Sequence, residues 1–369
     1  MKMKEFLSSL STLAASADRV VLDGDSKLVF LSDLHLGDGS PGDDGRRNAP
    51  LLEAALGSWY EPSGFELVLN GDVEELHKFT LGSIMEAHRG LYELFDRFAA
   101  RGALRKIVGN HDLGLLAEKG YPYRLEHAVR YEWKGRPILA YHGHQASRFF
   151  VDYNYLSDFV VRWLANPLRI KNAEFPLTSK RRFKTERRVY RASRRLGLVS
   201  VIGHTHRPLF ESLTKYDRLR HILEDLLRRY TMAEADERAE LSRTIDDCAA
   251  EFSRVSSTRR GADVGRSLYA ESDALLPCLF NSGCATGRHG ATALEIAAGR
   301  IALVHWTRAG TERPYIAAEA SGFEDVPGTP YRRWVLAEEP LDYVFARLEL
   351  LGRRKERSEA ETAGAEEGA

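Results

Sequence analysis

Cysteine is scarce: the chain of 369 residues contains only Cys248, Cys278 and Cys284. Three thiols late in the chain cannot build a disulfide framework or a four-cysteine zinc site, so we expect a reducing compartment, the cytoplasm. An excess of charge of either sign is also missing, since 53 Lys and Arg meet 53 Asp and Glu. No global field draws the molecule to nucleic acid or an anionic membrane, and any such affinity must be local. Apolar runs are short, and none approaches the roughly 18 to 20 residues that span a bilayer. There is no internal repeat. Apolar side chains nevertheless make up 43% of the chain, enough to bury a full core.

The first seventeen residues imitate an export signal, with Lys2 and Lys4, a Leu-rich stretch and Ala15-Ser16-Ala17. Glu5 and the serines Ser8, Ser9 and Ser11 weaken that reading. Phe6, Leu10, Leu13 and Ala17 recur at helical spacing, so an amphipathic helix packed on the domain is the expectation.

Apolar runs at Lys27 to Ser32, Phe65 to Asn70, Leu104 to Val108, Pro137 to Tyr141 and Leu198 to Ile202 read as buried strands, each running into a polar cluster. Helical patterns at Leu51 to Trp59 and Ile84 to Ala100 alternate with them, as in an α/β layer structure, which places sites at strand carboxyl ends. Further strands are expected at Leu279 to Gly283, Ala291 to Ile296 and Ile301 to Trp306, the last two joined by a turn at Ala298-Gly299-Arg300, completing a second sheet. Two stretches read as helical insertions, a basic one at 149–195 and a mixed-charge one at 213–261. The tail, 352–369, lacks large apolar residues and is expected to be disordered. A single domain would then cover 1–351.

Six of the twelve histidines fall in short segments at strand ends. With one acidic segment that has no histidine, these are in order Ser32-Asp33-Leu34-His35-Leu36-Gly37-Asp38, Asn70-Gly71-Asp72-Val73-Glu74-Glu75, Gly109-Asn110-His111-Asp112, Tyr141-His142-Gly143-His144 and Gly203-His204-Thr205-His206-Arg207-Pro208. Asp33 and His35 lie two apart, so on a strand they share a face and can reach one ion as the strand gives way to a loop; His204 and His206 repeat the spacing. A mixed oxygen and nitrogen donor set suits Mn, Fe, Zn or Co better than Ca or Mg. Gly71, Gly109, Gly143 and Gly203 fit turns where backbone passes close to an ion or substrate. Each piece alone is weak evidence; the ordered set is specific.

That ordered set, from about Leu28 to Pro208, resembles the calcineurin-like metallophosphoesterases, whose pattern is D-x-H, G-D-x-x-[DE], G-N-H-[DE], a His-Gly element and G-H-x-H. The resemblance implies two divalent metal ions, manganese first among Mn, Fe, Zn and Co. Asp33, His35 and His206 would hold one, Asn110, His142 and His204 the other, and Asp72 would bridge them. His111 would protonate the leaving oxygen, oriented by Glu75. Two cations about 3.5 to 4 Å apart lower the pKa of a shared water and stabilise the phosphoryl oxygens during in-line displacement. The implied fold is a four-layer αββα sandwich of two mixed sheets flanked by helices. Within the family, the Tyr- and Arg-rich insertion resembles the branch containing the UDP-2,3-diacylglucosamine pyrophosphatases. Those enzymes typically read G-N-R-D and H-G-D where this chain has Gly109-Asn110-His111-Asp112 and His142-Gly143-His144.

The basic run Lys180 to Arg195 is read either as a clamp for a phosphate, lipid head group or nucleic acid backbone, or as a solvated face salt-bridged to the second insertion. Tyr153, Tyr155, Phe159 and Trp163 are either a lid or core of the insertion. His144 is either a substrate contact or a support for the ligands. Asn281-Ser282-Gly283-Cys284 reads as a strand-end turn near the site, with Cys284 structural. The expected function is metal-dependent phosphoester hydrolysis of a phosphorylated small or lipid-linked substrate, as a phosphomonoesterase, phosphodiesterase or pyrophosphatase. Peripheral membrane contact is compatible with that substrate. A nuclease is a second reading, less favoured, and a non-catalytic scaffold a third, disfavoured because every ligand position is filled.

Overall fold

The computed structural model describes residues 3–146, 179–213, 215–257 and 276–351. Strands β1 to β13 run Asp18–Leu22, Leu28–Leu31, Glu66–Asn70, Leu104–Ile107, Leu125–Glu126, Val129–Trp133, Arg136–Ala140, Val199–Ile202, Leu279–Asn281, Ala291–Ala297, Arg300–Arg308, Gly322–Asp325 and Tyr331–Pro340. Helices α1 to α8 run Met3–Ser16, Ala49–Ala55, Leu81–Ala87, Arg89–Ala100, Ser179–Leu196, Lys215–Met232, Ala235–Ser257 and Pro314–Glu319.

Two mixed sheets form. The larger has eight strands in the order β12-β13-β11-β10-β2-β3-β4-β5, and the smaller five in the order β1-β6-β7-β8-β9. Alternation along β2 and β3 sets the layers. Val29, Leu31, Leu67 and Leu69 pack with Leu52, Leu91 and Phe95 of α2 and α4, whereas Phe30 and Val68 join a second core with Tyr131, Ile138 and Val201 of the smaller sheet. Phe6 and Leu10 of α1 and Val189 and Tyr190 of α5 belong to that second core too. The result is helices, sheet, sheet, helices: the expected αββα sandwich. No helix among the described residues is long and apolar enough to cross a membrane.

Three expectations are refined. The segments after the second insertion do not complete one sheet: β9 lies parallel to β8 in the smaller sheet, while β10 and β11 extend the larger one antiparallel to β2. The β10–β11 hairpin turns at Ala298 and Gly299, both left-handed (φ 50° and 68°), as two-residue hairpins require. The second insertion contains α6 and α7, packed as a hairpin with its own small core of Leu226, Leu241 and Cys248. Its leucines split, Leu219 being buried and Leu227 exposed. The aromatics Tyr153, Tyr155, Phe159, Trp163 and Phe175 and the tail 352–369 lie outside the described residues.

One buried polar cluster shapes the loops that carry the site. Lys106 of β4 is fully buried, 2.9 Å from Glu74 and also paired with Asp112, and the hydroxyls of Tyr92 and Tyr121 donate to Glu74 at 3.0 and 2.7 Å. Asp112 accepts from the amides of Val73 and Gly109, so this cation ties the loop after β3 to the loop after β4. Removing one partner of a buried ion cluster leaves uncompensated charge, at a cost of about 3–5 kcal/mol. Lys106→Met should lower unfolding stability by about that amount in urea titrations, and a loss under about 1 kcal/mol would contradict the role given to Lys106.

Candidate metal centre

The site is built on strand ends. β2, β3, β7 and β8 stop at Leu31, Asn70, Ala140 and Ile202, and Asp33, Asp72, His142 and His204 each follow two residues later. Asn110 follows shortly after β4. Beyond the strands the first two loops stay paired, with Asp33 N donating to Gly71 O at 3.0 Å, His35 N to Asp72 O at 3.1 Å and Leu36 N to Val73 O at 2.8 Å.

The convergence of these residues is a backbone effect. Asp33, His35, Asp72, His204 and His206 have φ of 54°, 45°, 52°, 64° and 55°. They are five of the nine non-glycine residues with positive φ among those described. Such conformations cost of order 1–3 kcal/mol each and persist only where the surroundings enforce them. The expected strand-face alternation is therefore not what brings Asp33 and His35 together, since both lie past the strand in left-handed turns. His204 and His206 are divided between two clusters rather than sharing one.

The first cluster is Asp33, His35 and His206, and the second is Asp72, His142 and His204. Each aspartate is held the same way. Asp33 accepts from His204 N through Oδ2 at 2.9 Å and turns Oδ1 to His206 Nε2 at 3.1 Å. Asp72 accepts from His111 N through Oδ1 at 2.8 Å and turns Oδ2 to His142 Nε2 at 3.0 Å. A Cβ on Gly109 would sit 2.1 Å from Asp72 Oδ1, and one on Gly203 would sit 2.6 Å from Asp33 Oδ2, so a side chain at either position would displace a carboxylate. Ring orientation is set from outside the clusters: His35 Nδ1 meets Glu75 Oε2 at 2.8 Å and His142 Nδ1 meets the Asn70 carbonyl at 2.9 Å, which aims both Nε2 atoms inward.

These donors fit a cation. His35 Nε2 and His206 Nε2 lie 3.1 Å apart, and Asp33 Oδ1 lies 3.9 Å from His35 Nε2 and 3.1 Å from His206 Nε2. A metal bound at about 2.1 Å holds neighbouring donors about 3.0–3.4 Å apart. Asn110 Oδ1 and His204 Nδ1 are buried and without a hydrogen-bond partner among the described residues. Buried acceptors left this way call for an ion or water. Six of the seven sequence-predicted ligand positions are thus brought into the two clusters, with Asp72 grouped in the second, and Asn110 lies between Gly109 and His111, both of which contact the Asp72 carboxylate.

His111 stands beside the first cluster. Its Nδ1 is 2.8 Å from Glu75 Oε1, so Glu75 bridges His111 and His35 through its two oxygens, as the expected orienting role requires. His144 is buried beside the second cluster, its ring centroid 5.4 Å from that of His142. Asn281 Nδ2 donates to Gly203 O and Thr205 Oγ1, so the Asn-Ser-Gly-Cys turn does border the site. Sequence reasoning missed Lys106, Glu74, the supporting role of Asp112, and His77, whose ring lies 4.5 Å from that of His111. Asp112 closes the Gly-Asn-His-Asp segment and could have been singled out; a lysine in a short strand carries no such signal.

Electrostatics follow from burial against pairing. Burial opposes charge on Asp72, yet His142 holds it well below the usual carboxylate range. Burial likewise disfavours charged His142, but Asp72 outweighs it and lifts the imidazole to about 9; Asp33 similarly lifts His206 to about 11. Burial, aided by the charge of His142, pushes His204 down to about 3. His111 is raised, its hydrogen bond to Glu75 outweighing burial.

Protons on His142 and His206 therefore neutralise the aspartates in the metal-free chain. Folded values above the roughly 6.5 of an unfolded histidine mean that this stabilisation is complete below about pH 6.5 and is lost as pH rises through the folded values. Chelator-treated protein should unfold at lower urea at pH 8 than at pH 6.5, and an unchanged or higher midpoint at pH 8 would contradict this balance.

No family model matches the sequence of this chain, and no curated protein matches it.

Proposed function

We propose that the protein is a phosphoester hydrolase dependent on two divalent metal ions, a member of the calcineurin-like metallophosphoesterases. The observation that carries this reading is the pair of adjoining Asp and His clusters, with the Asn110 amide oxygen buried and unpaired and the His111–Glu75 couple alongside. Asp33, His35 and His206 would hold one ion, Asn110, His142 and His204 the other, with Asp72 between them. Mn is the first choice, with Fe, Zn or Co also suited to the donors. When bound, such a pair supplies Lewis-acid activation of water and of phosphoryl oxygens.

The remaining work falls to residues of the chain. Glu75 accepts at His111 Nδ1, which leaves Nε2 as the ring atom able to give a proton to the departing oxygen. The hydrogen bond to Glu75 raises the pKa of His111 against the effect of burial and so favours the protonated ring. Asn70 and Glu75 fix ring orientation through the Nδ1 atoms of His142 and His35, so no reorganisation is needed as charge develops. The substrate class we infer is a phosphorylated small or lipid-linked molecule, as a monoester, diester or diphosphate. A cytoplasmic location is supported by the three free cysteines.

Chelator-treated protein reloaded with Mn, Zn, Fe(II) or Mg should hydrolyse p-nitrophenyl phosphate or bis-p-nitrophenyl phosphate only when reloaded. Asp72→Ala should abolish the activity. His111→Gln should lower kcat by roughly a hundredfold to ten-thousandfold with metal content unchanged. Absence of hydrolysis with every metal, or activity that survives Asp72→Ala, would contradict the proposal.

A further inference from the structure

Helix α5 is fastened to the loop that carries His204 and His206. Glu186 accepts from Thr205 Oγ1 at 2.7 Å and lies 3.3 Å from Arg207 Nη1. Two residues on, Arg188 Nη1 donates to the Ala146 carbonyl just past the His142-Gly143-His144 segment. The basic run is therefore not only a solvated face, because at least part of it is built into the site wall.

Arg182 precedes Glu186 by four residues, one helical turn, and so shares its face toward the Thr205–Arg207 loop. Its Nε is buried and has no hydrogen-bond partner among the described residues. Glu186 on the same face reaches Thr205, which lies between His204 and His206, so this face of α5 is turned toward the loop carrying both histidines. A buried N–H without an acceptor costs free energy, and Glu186 is shared with Arg207 and Thr205; an oxyanion brought to Arg182 would satisfy the orphaned donor. The planar guanidinium fork matches phosphate or carboxylate oxygens.

We propose that Arg182, with Arg207 beside it, forms an anion subsite adjoining the Asp33, His35 and His206 cluster that receives a second oxyanion of the substrate, distinct from the phosphoryl group that reacts. This rests on the hydrolase reading for its purpose, but the subsite itself needs only the arginines. It selects substrates carrying two anionic groups over simple monoesters, and Arg182 sets that selectivity without taking part in bond cleavage.

The test is isothermal titration calorimetry with methylenediphosphonate, phosphonoacetate and methylphosphonate, on protein as purified and after chelator treatment. At least one of the two probes with a second anionic group should bind tenfold or more tightly than methylphosphonate. Preference for the diphosphonate alone identifies a phosphoryl group, and preference for both identifies any oxyanion. Arg182→Gln should remove the preference while changing methylphosphonate affinity less than twofold, and Arg182→Lys, which keeps the charge without the fork, should restore part of it. Circular dichroism and metal content should match the parent protein in both variants. No preference in the parent protein, or one that survives Arg182→Gln, overturns the subsite. The chelator-treated arm remains readable if no metal is bound and no ester is hydrolysed, so failure of the hydrolase reading and failure of the subsite are separable.

Discussion

Two carboxylates, Asp33 and Asp72, are buried side by side where the two sheets meet, at 0% and 1% exposure. Burying charge is costly unless opposite charge lies against it, and like charges in one low-dielectric space make it worse. The surroundings of the site answer this constraint. Each aspartate has one oxygen on a backbone amide and the other on an imidazole, so each negative charge is met twice. Cations of higher charge in the same positions would meet it better than protons do, which is the physical basis for reading the clusters as a metal centre.

The fold delivers these groups at the carboxyl ends of strands from both sheets. Two registers must agree for this to work, the parallel pairing of β2, β3 and β4 in one sheet and of β7, β8 and β9 in the other. Left-handed turns at Asp33, His35, Asp72, His204 and His206 then fold the side chains back toward a common centre. That backbone strain is offset by fixed neighbours: paired loops after β2 and β3, the Lys106 cluster under the loops after β3 and β4, and α5 clamped to the loop after β8 through Glu186 and Thr205.

Much of this was legible in the sequence because local pattern and chemistry coincide there. The buried central strands are short apolar runs, and the Asp, Asn and His residues sit in glycine-bearing segments right after them. The helix at the N-terminus was readable from the spacing of Phe6 and Leu10. Less legible were β1, β6 and β13, whose sequences mix charged and apolar residues; their place depends on partners remote in the chain, as with Arg333 of β13 paired to Glu295 of β10. The sheet joined by β10 and β11 could not be read for the same reason, since strand propensity does not name a neighbour. Lys106 looked like an ordinary strand residue, and only three-dimensional proximity to Glu74 and Asp112 explains its burial. The left-handed conformations of Asp33, His35, Asp72, His204 and His206 were invisible because Asp and His adopt positive φ only occasionally and nothing in their identity marks where, whereas a glycine would have flagged the turn.

The central claim, two ions held close together by these seven residues, is tested most directly by electron paramagnetic resonance on chelator-treated protein titrated with Mn(II). The account predicts two ions per chain with an exchange-coupled spectrum, and a single uncoupled ion in Asn110→Ala. Saturation at one ion in the parent protein, two uncoupled ions, or no specific binding would contradict it.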